Sequence, residues 1–287
     1  MMGNPEPGAA EIAATKNSIV YQPMPQRGMT VASLTISDFQ FERHSHAEYA
    51  LGFTARGVQS FNCRGGKFRS TPGDVIMLNP DLVHDGLPGE AGDYEYRMVY
   101  VEPDALDDWH DRAAGIRMGR YFGPVVTHDP TAADLLRTAL SATNQPQEAL
   151  RADVLLMRAV MAFFMRHGEQ PGECRALASE GGLRMVRIRE YIHAHANRDL
   201  SLTELADEAG VSRVYLSRAF EKQFGVPPHI YLNAVRIQAA KAFLRCGNSL
   251  ADTAMRTGFF DQSHFTRRFK GALGVTPGAW LRQIRGK

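Results

Sequence analysis

Between residues 18 and 103, apolar and polar positions alternate in short runs broken by glycine and proline. Residues 31–36, 49–53, 58–63, 74–78 and 94–101 carry the period of two expected of strands. Arg64-Gly65-Gly66-Lys67 predicts a two-residue hairpin turn, with Gly65 and Gly66 taking positive φ. Many short strands at close spacing predict a small barrel or sandwich. From Asp104 the period becomes helical, predicting helices over 104–114, 131–141 and 148–167. In the last of these, Leu150, Val154, Met157, Met161 and Phe164 form an apolar stripe. It suits packing on the strand domain or a dimer seam. Residues 168–182 are rich in Gly, Pro, Glu and Ser, break the pattern and read as a linker.

Composition sets the outer limits. The chain has 287 residues, 44% hydrophobic and 22% charged, enough for two domains at roughly 100–200 residues each. No run approaches the ~18 apolar residues of a membrane span. Residues 1–17 are rich in Pro, Gly and Ala and lack an apolar core behind a basic start, so they read as a disordered lead rather than a secretory signal. Cys63, Cys174 and Cys246 lie far apart, which excludes a disulfide scaffold and a cysteine zinc module and fits a reducing cytoplasm. Charge is unevenly spread: residues 1–182 carry net −7 and residues 183–287 carry net +9. A basic C-terminal third points to a polyanion partner.

That third repeats itself. Ser201-Leu202 and Ala206-x3-Gly210 recur 48 residues later as Ser249-Leu250 and Ala254-x3-Gly258. Leu216-Ser-Arg-Ala-Phe220-x3-Phe224-Gly-Val-Pro-Pro228 recurs 49 residues later as Phe265-Thr-Arg-Arg-Phe269-x3-Leu273-Gly-Val-Thr-Pro277. Each copy has the parts of a helix-turn-helix: a serine N-cap, an apolar face with a small alanine, a turn glycine, and a second helix stopped by Gly-Val-x-Pro. Leu202, Leu205, Ala206 and Ala209 are the expected apolar face of the first helix. A long helix from about Pro228 to Cys246 joins the two copies.

Burying the apolar residues leaves a polar face on each second helix. It shows Arg213, Tyr215, Arg218 and Lys222 in the first copy, and Gln262, Ser263, His264, Arg267 and Arg268, flanked by Lys270, in the second. Arginine pairs with guanine, glutamine with adenine, and hydroxyls and lysine with phosphate. Two such units on a rigid connector would read successive major-groove turns of double-stranded DNA, roughly 34 Å apart. A backbone-only binder, whether architectural or RNA-binding, needs only positive charge and would bind all duplexes alike with a steep salt dependence.

Gly258-Phe259-Phe260-Asp261-Gln262-Ser263-His264-Phe265-Thr266-Arg267-Arg268-Phe269-Lys270 followed by Gly274-Val-Thr-Pro277 closely resembles the AraC/XylS family of transcription regulators, over about residues 183–285. The resemblance implies a DNA-binding domain with two helix-turn-helix units, usually in an activator that contacts RNA polymerase.

Upstream, Arg43-His44-Ser-His46-Ala-Glu48 leads into a strand whose alternation puts His44, His46 and Glu48 on one face. Pro72-Gly-Asp74 turns into an apolar strand, and His84 follows its end. Together these resemble the two cupin motifs, specifically the cupin-like sensor domain that precedes AraC-type DNA-binding domains. In metal-binding cupins these positions hold the ion. Here His44, His46 and His84 match, whereas Glu48 follows His46 at a shorter spacing than usual. Three readings stand: a divalent metal such as zinc or iron on the three histidines, with or without Glu48; a metal-free pocket in which His44, His46, Glu48 and His84 bind a small organic effector; or structural histidines.

The expected architecture is thus a two-domain α+β chain: a lead over 1–17, a cupin-like β-barrel with helices over 18–167 for effector binding and homodimerisation, a linker over 168–182, and an all-α double helix-turn-helix domain over 183–287. The expected function is cytoplasmic, effector-responsive transcription regulation. An enzyme-like cupin is the rival class. Fusion to a DNA-binding domain argues against it, as does the lack of a phosphate loop, a Gly-x-Ser-x-Gly elbow or a dinucleotide fingerprint.

Overall fold

A computed structural model describes residues 17–24, 28–87, 92–106, 120–145, 147, 149–169 and 180–286. The expected lead, apart from Asn17, lies outside the described residues, as do most of the helix at 104–114 and of the linker.

The N-terminal domain is two antiparallel sheets. Strands β1 (Asn17–Met24), β2 (Met29–Ile36), β4 (Tyr49–Arg56), β7 (Asp74–Leu78), β9 (Tyr94–Val101) and β11 (Val126–His128) form one, in the order β1-β2-β9-β4-β7-β11. Strands β3 (Phe41–His44), β8 (His84–Gly86), β5 (Gln59–Cys63) and β6 (Gly66–Ser70) form the other, in that order. A short pair, β10 (Tyr121–Phe122) and β12 (Gly168–Glu169), closes one end. The expected lead therefore ends one residue too late, because Asn17 opens β1, and the expected linker begins too early, because Gly168 and Glu169 pair with β10. In the β5–β6 hairpin, Cys63 faces Gly66, so the turn residues are Arg64 (φ 50°) and Gly65 (φ 75°), one position earlier than expected.

Strand β4 is buried on both faces. Leu51 and Phe53 look outward to two helices, α1 (Pro130–Ala142) and α2 (Ala149–His167), with Phe163 and Phe164 in the same cluster. Asp129 caps α1 at the Ala132 amide and binds Arg166 and His167 at the end of α2, clamping the pair. The predicted stripe on α2 splits. Phe164 is buried, whereas Leu150 is 79% exposed and Val154 and Met157 are also exposed. The buried face runs instead through Ala152, Leu156, Ala159, Val160 and Phe163.

The C-terminal domain is helical. Helix α3 (Glu180–His195) leads to α4 (Leu202–Ala209) and α5 (Arg213–Phe224), the first unit. The connector α6 (Pro228–Arg245) follows, then α7 (Leu250–Arg256) and α8 (Gln262–Leu273), the second unit, and α9 (Pro277–Ile284). Ser201 and Ser249 cap α4 and α7 through their hydroxyls. Gly225 and Gly274 end α5 and α8 in the left-handed region. Leu202, expected on the apolar face of α4, is exposed, while Leu205, Ala206 and Ala209 are buried.

The two units are cored differently. The first packs Leu205, Leu216, Phe220 and Tyr231 with α3 in a cluster that takes only Val83, in the loop before β8, from the β-domain. Phe265, Phe269 and Trp280 of the second belong to one continuous cluster with Ile19, Phe41, Tyr96 and Met98 of the β-domain. Gly274 shows how close the approach is: φ is +76° and a Cβ there would strike Ile19. Gln283 of α9 completes the contact by accepting from the Tyr21 amide and donating to the Ile19 carbonyl, pairing the open edge of β1 as a neighbouring strand would.

Candidate functional site: a chamber shared by two domains

Antiparallel register brings the separated histidines together. His44 ends β3 and lies directly opposite His84 of β8. Their rings are 4.4 Å apart; His46 is 5.0 Å from His84 and 6.5 Å from His44. Each ring nitrogen Nδ1 meets a nearby backbone carbonyl: His44 that of Glu42 at 2.7 Å, His46 that of Glu48 at 2.8 Å, His84 that of Leu82 at 2.9 Å. A carbonyl only accepts, so Nδ1 carries the proton in each ring and Nε2 is left as a lone pair. Burial, then the neighbouring imidazoles, lower the His44 and His46 pKa values, the latter to about 3; burial also lowers His84. All three rings are neutral near pH 7.

Glu48 does not share the strand face expected for it. β3 stops at His44, so alternation does not carry through residues 45–48. The carboxylate turns to α6 and accepts from Lys241 Nζ at 2.9 and 3.2 Å, both side chains being buried. Burial alone would raise this carboxyl; the ammonium outweighs it and holds the pKa well below the usual range. Beside it, Gln238 donates to the Ser45 carbonyl and accepts from Lys241. Among the described residues, no group of three or more His, Cys, Asp and Glu side chains is arranged to hold a metal ion.

Two adjoining chambers open around His46. The inner one lies between the sheets and includes His44, His46, His84, Gln59 and Tyr96. The outer one lies between the domains, where His46, Glu48 and Tyr100 face Gln238, Lys241, Arg245 and Trp280. His44, His46 and Tyr100 line both. The residues from α6 and α9 escaped the sequence reading. A hint was available: α6 is apolar on most sides, and Lys241 sits among its buried positions.

On the expected DNA side, Arg213, Tyr215, Arg218 and Lys222 are all exposed on α5. On α8, Gln262, Ser263, Arg267 and Lys270 are exposed. His264 is half-buried, edge-on to Phe259. Arg268 departs from the expected face: it turns to the β-domain and donates to Glu42 at 2.9 Å. It lies on a different side of α8 from Ser263, Arg267 and Lys270, which share one face at helical spacing. Phe260, 93% exposed just before α8, and Val214 on α5 add apolar surface that a polar reading passed over.

A β-domain with a central chamber, covalently joined to two helix-turn-helix units, defines a DNA-binding transcription regulator with a ligand-binding domain. Residues 28–160 match the AraC-like ligand binding domain and residues 205–283 a helix-turn-helix domain. The chain belongs to the AraC/XylS family. It is 28% identical over 227 residues to YbfI, an HTH-type transcriptional regulator of Bacillus subtilis, covering 78% of this chain and 81% of that one. It is 26% identical over 233 residues to the arabinose operon regulatory protein of Escherichia coli, covering 80% and 78%. Its fold resembles that of ToxT from Vibrio cholerae, with a TM-score of 0.53 at 12% identity over 91% of this chain and 99% of that one. No helix among the described residues is long and apolar enough to cross a membrane.

Proposed function

We propose that the chain is a cytoplasmic, sequence-specific transcription activator switched by a small organic molecule bound at His44, His46 and His84, with no catalytic role. One observation carries this reading: His44 and His46 line both chambers and the outer one is walled by both domains, so a molecule held at these histidines and reaching the outer chamber touches the connector α6 and the second unit directly. Binding shifts an equilibrium only through contacts that differ between states. The Glu48–Lys241 and Gln238–Ser45 contacts are the ones an effector would replace. Arg213, Tyr215, Arg218 and Lys222 then meet one half-site, and Gln262, Ser263, Arg267 and Lys270 the other. The exposed Leu150, Val154 and Met157 on α2 supply a homodimer seam, and RNA polymerase is the partner at the promoter.

Selection from a random duplex library tests the DNA reading. The expected product is a motif with two elements about one helical turn apart, altered at one element by Arg218→Ala and at the other by Arg267→Ala. Enrichment by charge alone, unchanged in both variants, contradicts it. Metal analysis of the purified chain tests the effector reading: near one equivalent per chain would make the histidines ligands and replace the organic effector by a metal.

A further inference from the structure

The connector α6 serves both helix-turn-helix units at once. Its first half gives Tyr231, Leu232 and Val235 to the core of the first unit, and its second half gives Ile237, Ala240 and Leu244 to the core of the second. Arg236 falls between the two sets and is 8% exposed, a buried cation that neither core uses. Its Nε donates to the Ala196 carbonyl at 2.8 Å and its Nη2 to the Arg198 carbonyl at 2.9 Å. Both carbonyls follow the end of α3, where unpaired acceptors and the helix dipole favour a cation. Segment 196–198 is itself held to the first unit, because the Arg198 side chain donates to Glu204 of α4 at 2.6 Å.

The second unit closes on the same segment. A Cβ on Gly258, in the turn between α7 and α8, would lie 2.7 Å from the Ala196 carbonyl oxygen and 3.0 Å from Arg236 Nε. The repeat supplies a control. Gly210 holds the equivalent place in the first unit with a similar φ, +63° against +80°, yet a Cβ there would meet nothing within 4 Å. Positive φ is thus the local need of both turns, whereas Gly258 also admits a neighbouring unit. A shared helix fixes the distance between two bodies and leaves rotation about its axis to the contacts beside it. One base pair turns a DNA site by about 35° and moves it about 3.4 Å, so a fixed element spacing requires a fixed rotation. We infer that Arg236, with Gly258, is a positioning device: closed on segment 196–198, the pair sets the rotation of one recognition helix against the other, and so the number of base pairs between the two DNA elements. It rests on the two-element reading proposed above, and it acts through α5 and α8 without touching DNA.

The test is selection from a random duplex library with the full chain, read as the distribution of spacings between the two elements. The unmutated chain should return one spacing, enriched about tenfold or more over those one base pair longer or shorter. Arg236→Met should return the same two elements with that preference cut to about threefold or less, while affinity for a duplex carrying a single element stays within about twofold. An arginine that only capped α3 would lower the melting temperature and leave the spacing alone. If Arg236→Met does not fold, Gly258→Ala decides against Gly210→Ala: the first should shift or broaden the spacing, and the second, with the same backbone strain and no neighbour, should not. An unchanged single spacing in the deciding variant overturns the inference and leaves the two-element reading standing. No two-element motif from the unmutated chain overturns both.

Discussion

The first helix-turn-helix unit and the second share their local design. Both have a serine cap on the first helix, aromatic residues at the same spacing in the second, and a left-handed glycine at its end. Their surroundings differ. The first closes a core of its own with α3 and α6, and its polar face is open. The second shares its core with the sheets, is clamped to β1 by Gln283, and spends Arg268 on Glu42. The same sequence grammar thus yields one unit that touches the β-domain only at its margin, near Val83 and Arg64, and one that shares its core. The second unit is the one that lines the outer chamber, through Ala272 and Leu273.

The largest expected effect separates the two cores. Phe220→Ala and Phe269→Ala each delete a fully buried ring and should cost about 3–5 kcal/mol locally. Hydrogen exchange should rise in α3–α5 for the first, and in α8, β1 and β3 together for the second. Equal spread in both variants would erase the distinction.

Next is the buried ion pair. Lys241→Met strands the Glu48 carboxylate and should destabilise by about 3–5 kcal/mol, measured by denaturant unfolding. Adding Glu48→Gln should recover much of the loss. An unchanged double variant would mean the loss was packing alone.

The DNA faces come third. Arg218→Ala should weaken operator binding by about 1–3 kcal/mol in a mobility-shift titration. Arg268→Ala should do less, because its guanidinium is already engaged by a partly exposed carboxylate.

The pH response is graded. His46 is held neutral down to about pH 3 in the folded chain, below its usual value of 6.5. The unfolded chain therefore binds protons that the folded chain refuses, and stability falls as pH drops from 6.5 towards 3. His46 contributes up to ~1.4 kcal/mol per pH unit in that window. The unfolding midpoint should be lower at pH 5 than at pH 7, with a smaller gap in His46→Phe.

Much of this was legible in the sequence. Strands β7 and β9 fall on the residues predicted, and the long helices match to within a residue or two, because alternation and helical period are local signals. The capped, glycine-ended helix-turn-helix pairs were visible twice over in the repeat. Strands β1, β3 and β8 were not, since β3 and β8 are three or four residues long and depend on partners elsewhere in the sheet. The histidines met as expected, but Glu48 was misplaced because strand alternation was extended past the end of β3. Lys241, Gln238 and Gln283 act across 190 residues or more, and no local period records such a contact.

Native-state hydrogen exchange across increasing denaturant tests the shared core most directly. Amides of α8 and α9 should open in the same cooperative unit as β1 and β3, with α4 and α5 opening separately. If α8 and α9 instead open with α4 and α5, apart from the sheets, the second unit is not part of the sensor core and the account fails.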